Sequence, residues 1–184
     1  MSVWTPYVEA DANTLVSTNS VSWTNATNAY TDNTSYAQVT GSNVLSDSRR
    51  WYSSEAYLTN LLGDLKFGDT LDGIECRFKL YDNGGLMYHR FYGGSASYDS
   101  TYQSFNATTT PDYYTRGGAA DLLGTNLTTA ILLNWTSSAQ VGNQFYGDLG
   151  FSDTCRLYYT TWRASYTPET FSDGWEFVGN GYHS

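Results

Sequence analysis

Carboxylates and histidines are the side chains of this 184-residue chain that could serve as general acids or bases. A glycosidase needs two carboxylates about 5–9 Å apart across a sugar cleft, and no spacing in the sequence singles out such a pair. The glutamates that could contribute to one are Glu55, Glu75, Glu169 and Glu176. His89 lies in the strand-like segment MYHRFY, where packing is the commoner role of a histidine, and His183 is the penultimate residue. The sequence has no nucleophile elbow, zinc-protease motif or phosphate loop, so we expect no enzyme and no cofactor.

Three aspartates gather in the segment LGDLKFGDTLDG, at Asp64, Asp69 and Asp72. Loops that bind calcium collect carboxylate oxygens in this way, but a complete loop of the D-x-D-x-D-G type is missing. Aspartate is also a common turn residue that accepts backbone N–H bonds. We therefore expect these three to form turns and to hold no metal.

Cys76 and Cys155 are the only cysteines, and each lies within an apolar, strand-like pattern. The pattern favours two buried free thiols, with a disulfide between core strands as the alternative. Two cysteines without a C-x-x-C spacing and two histidines do not make a structural zinc site.

Aromatic residues are the strongest functional signal, since they make up 17% of the chain while charged residues make up 15%. They crowd a long polar segment between Gly93 and Gly118 and both ends of the chain. Tyrosine and tryptophan give large contact areas at low entropic cost, which suits interfaces. Filling of the core by about half of the central rings is the alternative. The candidate partner-binding residues are Trp4, Tyr7, Tyr92, Tyr98, Tyr102, Phe105, Tyr113, Tyr114, Phe171, Trp175, Phe177 and Tyr182.

The composition limits the partners that the chain can take. A net charge of −9 repels phosphate backbones and anionic membranes, so we expect no nucleic-acid and no membrane binding. The first residues lack a secretory signal, and no apolar run reaches the length of a membrane span. We expect a product made in the cytoplasm, with a neutral-polar and aromatic surface suited to protein or carbohydrate contacts.

Abundant Tyr, Thr, Ser, Asn and Gly predict an all-β protein. Alternation along 73–82 places Ile74, Cys76, Phe78 and Leu80 on a buried face, and 87–92 follows as its hairpin partner. Alternation along 153–166 places Cys155, Leu157, Tyr159 and Thr161 on one face. The sequence predicts a buried strand over 125–138 and a loop over 145–153. It also predicts that most of 53–68 is a strand. The segment from Gly93 to Gly118 is either a functional loop or carries short strands of its own.

These patterns indicate one all-β domain over residues 20–166. The flanking segments, 1–19 and 167–184, are rich in aromatic residues and broken by Gly and Pro. We expect them to be extended arms that dock on a neighbouring subunit, with packing onto their own domain as the alternative. Deletion of residues 167–184 should then leave the domain folded and prevent docking.

Three sequence blocks resemble a β-sandwich module of tailed-bacteriophage structural proteins. The matching residues of the first block are Trp23, Asn25, Asn28, Ala29, Asp32, Tyr36 and Ala37. Those of the second are Leu58, Phe67, Thr70, Leu71, Asp72, Gly73 and Ile74, and those of the third are Leu157, Tyr158 and Tyr159. Ala26-Thr27 stands where the family tends to have proline. Gly73 fits a strand that begins after a tight turn, because glycine tolerates unusual backbone angles.

The resemblance implies a single antiparallel β-sandwich, jelly-roll-like, over residues 20–166. It also implies a non-enzymatic virion protein, most simply a decoration or cement protein that binds the outer capsid shell and stabilises contacts between capsomers. Its partners would be the major capsid protein or other virion proteins, and its location the virion surface. Symmetry of the particle favours a homo-dimer or homo-trimer. The alternatives are a tail or baseplate appendage whose loops bind a host saccharide, and a free carbohydrate-binding module.

Overall fold

Antiparallel β-strands make up most of the part of the chain that the structure describes. The structure is a computed structural model, and it describes residues 1–15, 22–41, 49–53, 65–83, 86–133, 141–148 and 153–170. The strands are β1 (Val3–Trp4), β2 (Val8–Glu9), β3 (Ala12–Leu15), β4 (Ala37–Thr40), β5 (Arg49–Ser53), β6 (Thr70–Asp82), β7 (Leu86–Gly93), β8 (Gln103–Asn106), β9 (Asp112–Gly117), β10 (Val141–Asp148) and β11 (Thr154–Thr167). The helical elements of these ranges are α1 (Thr129–Leu133) and the 3-10 turns Ala26–Ala29 and Ala96–Tyr98.

The strands form two antiparallel sheets. Sheet 1 has the order β11–β6–β9, and the free side of β11 carries the short strands β4, β2 and β1 one after another. Sheet 2 has the order β3–β5–β10–β7–β8. The inner faces of the two sheets supply the apolar core, as in other sandwiches. The predicted all-β antiparallel β-sandwich is confirmed.

Alternation along β6 divides the side chains of sheet 1 between the core and the outer face. Ile74, Cys76, Phe78 and Leu80 are fully buried, as the sequence predicts, and the residues between them face outward. Sheet 2 contributes Trp51, Met87, Phe91, Val141 and Phe145 to the same core. Burial of each large apolar side chain contributes about 1.5–3 kcal/mol, so the inward pattern holds the register of both sheets.

A β-bulge in β11 changes which of its residues face the core. The register between β11 and β6 shifts between Leu157 and Tyr159, so Tyr158 is the extra residue. The prediction that Tyr159 and Thr161 share the inward face of Cys155 is therefore wrong. The physical reason is that one unpaired residue reverses the alternation of all residues that follow it.

The reversed alternation brings tyrosine and charged residues together on the outer face. Tyr159 pairs with Lys79 and Thr161 pairs with Arg77, while Thr160 takes the inward position opposite Phe78. Residues that are paired directly across antiparallel strands share a face. The bulge therefore sets the composition of the outer face of sheet 1 as well as that of the core.

The predicted hairpin between residues 73–82 and 87–92 is wrong. β6 pairs with β11 and β9 in sheet 1, whereas β7 pairs with β10 and β8 in sheet 2. Both strands bury one full face, and two stacked inner faces bury more apolar surface than one exposed hairpin. The chain therefore crosses from one sheet to the other between Asp82 and Leu86.

Two further segments differ from the sequence prediction. The segment 125–138, which was predicted to be a strand, contains α1. Thr128 precedes this helix, and it accepts the Ile131 N–H with its hydroxyl and the Leu132 N–H with its backbone oxygen. A threonine at this position satisfies free N–H groups and starts a helix, and a short apolar run does not reveal its periodicity. The loop expected over 145–153 is wrong for its first half, because β10 extends to Asp148.

The segment from Gly93 to Gly118 carries short strands of its own, which was one of the two alternatives. The 3-10 turn Ala96–Tyr98 leads into β8 and then β9, each at an edge of its sheet. Most of the predicted strand over 53–68 lies outside the described residues.

The N-terminal segment belongs to the sandwich. β1 and β2 pair with β11, and β3 pairs with β5 in the opposite sheet. Thr5 bonds to Ala164 in both directions, and Thr161 donates its hydroxyl to the carbonyl oxygen of Val8. Residues 3–15 therefore pack onto their own domain, which was the alternative to an extended arm.

The sheet also extends past the predicted start of the C-terminal arm. The Thr167 hydroxyl donates to Asp72, and the Glu169 N–H donates to Asp69. Residues 171–184, which contain four candidate partner-binding residues, lie outside the described residues. These four are Phe171, Trp175, Phe177 and Tyr182.

Candidate binding face

The outer face of sheet 1 combines aromatic rings with cationic side chains. Outward positions of β6, β9 and β11 alternate with core positions, and the short strands and loops at the edge add further rings. We call this surface the aromatic–cationic face. Its residues are Trp4, Tyr7, Tyr36, Arg77, Lys79, Tyr81, Tyr113, Arg156, Tyr158 and Arg163.

One end of the aromatic–cationic face is an ion pair enclosed by two rings. The Arg163 guanidinium lies 4.1 Å from the ring centre of Trp4 and 4.5 Å from that of Tyr7. Arg163 donates from Nε to Glu75 Oε1 at 2.9 Å, and the Tyr7 hydroxyl donates to the same oxygen at 2.6 Å. Burial, followed by the bond to Glu75, raises the pKa of Tyr7. The charge of Arg163 is thus balanced within the protein.

The middle of the face is built around the ring of Tyr113, which is 37% exposed. Arg77 lies 4.3 Å and Lys79 5.1 Å from its ring centre. The Tyr113 hydroxyl donates to Asp32, and this bond raises the pKa of Tyr113. Lys79 is 4.0 Å from the carboxylate of Asp32, a distant contact for an ion pair. A ring with a cation on its face can still stack against a partner on its free side.

The other end of the face holds Arg156 between two tyrosines. Its guanidinium lies 4.7 Å from the ring centre of Tyr36 and 5.1 Å from that of Tyr81. Nε donates to the side-chain oxygen of Gln38 at 3.1 Å, which leaves the terminal nitrogens directed away from this bond. Tyr36 also contacts Tyr158 at 5.2 Å between ring centres. The two rings restrict the guanidinium to one plane.

Charge is distributed unevenly over the face. Four of the nine cationic residues of the chain lie on it, in a protein whose net charge is −9. Arg163 is paired with Glu75, but neither Arg77 nor Arg156 has a carboxylate within 4.0 Å among the described residues. The face therefore presents two guanidinium groups that are held by rings and whose charge is not balanced by an ion pair in this part of the chain.

The outer face of sheet 2 is also rich in tyrosine, and both of its arginines, Arg50 and Arg90, interact with the carboxyl group of Asp99. Arg90 contacts Asp99 at 3.0 Å, donates to Gln144 at 2.8 Å and lies 4.5 Å from the ring centre of Tyr102. The rings of Tyr88 and Tyr146 stack in parallel at 4.5 Å. Burial raises the pKa of Asp99 against the opposing effect of Arg90. This face is less suited to a charged partner.

The structure divides the predicted partner-binding residues into three groups. Trp4, Tyr7 and Tyr113 come together on the aromatic–cationic face. Tyr92 is buried beneath Arg50 and Tyr102 lies on the outer face of sheet 2. Three other rings, those of Tyr98, Phe105 and Tyr114, pack against the core instead. This is the role that the alternative interpretation gave to about half of the central rings.

Sequence reasoning did not bring the basic residues of this face together with its tyrosines. Arg77 and Lys79 alternate with the buried residues of β6, but nothing in the sequence identifies them as neighbours of Tyr113, which is more than thirty residues away in the chain. The outward alternation of cations along β6 is the signal that could have found them. Tyr81 continues this alternation, and alternation before the bulge of β11 also places Arg156 and Tyr158 outward, whereas Tyr36 precedes β4 and carries no such signal.

The remaining polar candidates have structural roles. Asp69 accepts the N–H groups of Lys66 and Glu169, which is the turn-forming role expected for it. Asp64 lies outside the described residues. Among the residues that the structure describes, no three His, Cys, Asp or Glu side chains form a group that could hold a metal ion. His89 bonds through Nε2 to Asn143 Oδ1 at 2.8 Å in the core, and burial lowers its pKa to about 4.

No protein-family model matches the chain, and no curated protein is significantly similar to it. Across the described ranges, no helix is long and apolar enough to span a bilayer. The function must therefore be inferred from the geometry of the sandwich and its outer face.

Proposed function

We propose that this protein is a non-enzymatic binding protein and that it serves on the surface of a tailed-bacteriophage virion as a decoration or cement protein. The proposal is supported by the aromatic–cationic face, which offers Trp, Tyr and Arg on one side of a rigid sheet. These three residue types dominate the binding energy of protein interfaces. The sequence resemblance supports the virion setting, since the β-sandwich is the fold that it implies.

The aromatic–cationic face takes over the docking role that the sequence assigned to the N-terminal arm. Residues 3–15 are bonded to β11 and β5, so they are not available to reach a neighbour. Tyr113 and Arg77 lie on an accessible sheet surface. In this proposal the partner is the major capsid protein or another virion protein, and the protein itself acts as a homo-dimer or homo-trimer that matches the symmetry of the shell.

The virion setting is tested by the copy number of the chain per purified particle, measured by gel densitometry against the major capsid protein. A shell decoration protein occupies a symmetric lattice, so we expect on the order of hundreds of copies. Absence of the chain from purified particles would overturn this setting.

The docking role of the face is tested by a pair of matched variants. Tyr113→Ser removes the exposed ring of the aromatic–cationic face, and Tyr88→Ser removes a ring from the outer face of sheet 2. Particles that lack the protein are mixed with each variant, and bound protein is measured after sedimentation. We expect Tyr113→Ser to bind less than a tenth as much as wild type, in line with the loss of a central interface ring. Equal binding of the two variants would rule out this face.

A tail appendage that binds a host saccharide is the second candidate, together with a free carbohydrate-binding module. Tyr113 favours it, because an exposed ring next to cationic groups can stack on a sugar. A copy number of about a dozen or fewer would support the tail location. Retention of the wild-type protein, but not Tyr113→Ser, on host cell-wall polysaccharide would support the saccharide.

A further inference from the structure

We propose that the partner of the aromatic–cationic face is an acidic protein surface, and that Arg77 and Arg156 bind its carboxylates. This inference rests on the proposed function, because it names the chemistry of the partner that the same face would dock. The observation behind it is the pair of ring-held guanidinium groups whose charge no carboxylate balances among the described residues.

The stacking rings fix both guanidinium groups before a partner arrives. Arg77 lies over Tyr113, and Arg156 lies between Tyr36 and Tyr81. Free arginine side chains lose rotamer entropy when they bind, and rings that already hold them reduce this cost. A guanidinium group carries pairs of planar donors that match the two oxygens of a carboxylate. The face is thus preorganised for anionic groups.

The spacing of the cations suits several carboxylates at once. Arg156 pairs with Tyr81, and Tyr81 is four residues from Arg77 along β6, which corresponds to about 13 Å. Lys79 lies between them on the same face. Three cationic groups in a row would meet an acidic strand or helix face. Of the carboxylates on this side of the sheet, Glu75 and Asp32 are already engaged, and Glu9 lies one strand beyond β11 from Arg77.

The shape of the face favours a protein over a saccharide or a nucleic acid. Saccharides and small molecules bind mainly in clefts. Two clefts in the described part of the chain lie away from this face, between residues 66–71 and the segments 127–130 and 166–169. The face itself is the surface of a sheet, as in many protein interfaces. A net charge of −9 disfavours nucleic acid, because the rest of the molecule repels phosphates.

The inference is tested with poly-L-glutamate as the probe, and binding is followed through the tryptophan and tyrosine fluorescence of the full-length protein. The variants are Arg77→Gln and Arg156→Gln, alone and together, and Lys66→Gln is the charge-matched control because Lys66 is exposed and lies off the face. We expect each arginine variant to weaken binding about tenfold, since a lost charge-assisted bond is worth at least this factor. Lys66→Gln should bind like wild type, and raising the salt concentration should weaken all binding.

Variants that retain charge separate a folding defect from a binding defect. Arg77→Lys and Arg156→Lys keep the positive charge, and thermal unfolding shows whether each variant is folded. Folded glutamine variants that bind as well as wild type would overturn the inference, and so would a wild-type protein that does not bind poly-L-glutamate.

Two parallel measurements distinguish the other partners. Tighter binding to alginate, a carboxylated polysaccharide, than to poly-L-glutamate would overturn the choice of a protein. Self-association that Arg77→Gln and Arg156→Gln abolish would show that a second copy, and not a foreign acidic protein, occupies the face. The copy number in purified virions tests the proposed function separately, because poly-L-glutamate binding does not depend on it.

Discussion

His89 connects the two sheets through a chain of buried hydrogen bonds. Its Nε2 is bonded to Asn143 Oδ1, and the Asn143 amide donates to the carbonyl oxygen of Thr161 in sheet 1. The imidazole packs against Phe78 and Phe145, with ring centres 4.8 and 5.0 Å away. Asn143 Oδ1 accepts, so Nε2 carries the proton of a neutral imidazole. Charging this ring within the apolar core is unfavourable, which is why its pKa falls to about 4.

We expect acid to destabilise the protein through His89. The pKa is about 4 in the folded state and 6.5 when unfolded, so the unfolded chain binds more protons between these values. The contribution is fully present above pH 6.5 and is lost as the pH falls to about 4, a change of about 3 kcal/mol. Urea unfolding of wild type and His89→Gln at several pH values measures it. The difference in unfolding free energy between the two proteins should vary over this window, and a constant difference would contradict the prediction.

Gly73 is required for space and not for an unusual backbone angle. It lies within β6, whereas the sequence indicated the start of a strand after a tight turn. A Cβ atom at this position would lie 2.0 Å from the carbonyl oxygen of Gly118 and 2.7 Å from the carbonyl carbon of Ala119. Backbone atoms of a neighbouring loop thus approach the strand more closely than any side chain allows.

Gly73→Ala should therefore lower the free energy of unfolding by about 1–3 kcal/mol, the usual cost of overpacking. Gly118→Ala is the matched control, because a Cβ there meets no atom within 4 Å and Gly118 is not among the positive-φ residues. The control should unfold within about 0.5 kcal/mol of wild type. Chemical denaturation of both variants tests the difference, and equal losses would show that the close approach is unimportant.

At the scale of elements, alternation predicted β6 correctly and failed in the second half of β11. β6 alternates regularly from Ile74 to Asp82, and the register shift that leaves Asp72 unpaired lies before this part, so one period describes its inward residues there. The bulge at Tyr158 depends on how β11 meets β6, and the two strands are more than seventy residues apart in the sequence. The same limit applies to the site. Composition pointed to Trp4, Tyr7 and Tyr113, but pairing between distant strands brings them together with the arginines.

The N-terminal segment is a structural element of both sheets, which leads to a prediction opposite to that for an arm. Val8 is fully buried, and Thr5 bonds to the backbone of β11. Deleting residues 1–10 removes this burial and several hydrogen bonds, so we expect a loss of about 3–5 kcal/mol in unfolding free energy. Deleting Met1 and Ser2 alone is the control, since both are exposed. An unchanged melting temperature after the longer deletion would mean that the segment is a dispensable arm.

At the scale of the whole molecule, β6 and β11 tie two groups of buried side chains into one core. Cys76 belongs to the group around Phe91 and Trp162, and Cys155 to the group around Trp51. Both groups contain residues of β6 and β11. Detachment of either strand would therefore expose side chains of both groups. This continuity implies that the described sandwich unfolds as one cooperative unit.

The two cysteines are natural reporters of that cooperativity. Both thiols are free and buried, as the sequence favoured over a disulfide, and burial raises the pKa of each well above its usual value. Cys155 pairs with Asp82, which is six residues from Cys76 along β6, or about 20 Å. A disulfide requires Cα atoms within about 7 Å, so these residues are too far apart to form one.

Neither thiol should react with a thiol reagent in the native protein unless the sandwich opens. We expect native rates about a thousandfold or more below those of the unfolded chain, since global opening of a domain costs 5 kcal/mol or more. Cys76→Ala and Cys155→Ala each leave a single reporter, and both should become reactive at the same denaturant concentration. The midpoint from each reporter is compared with that from tryptophan fluorescence in the same variant. Reaction of one cysteine well before the other would show that the two ends of the core open independently, and that β6 and β11 do not couple them.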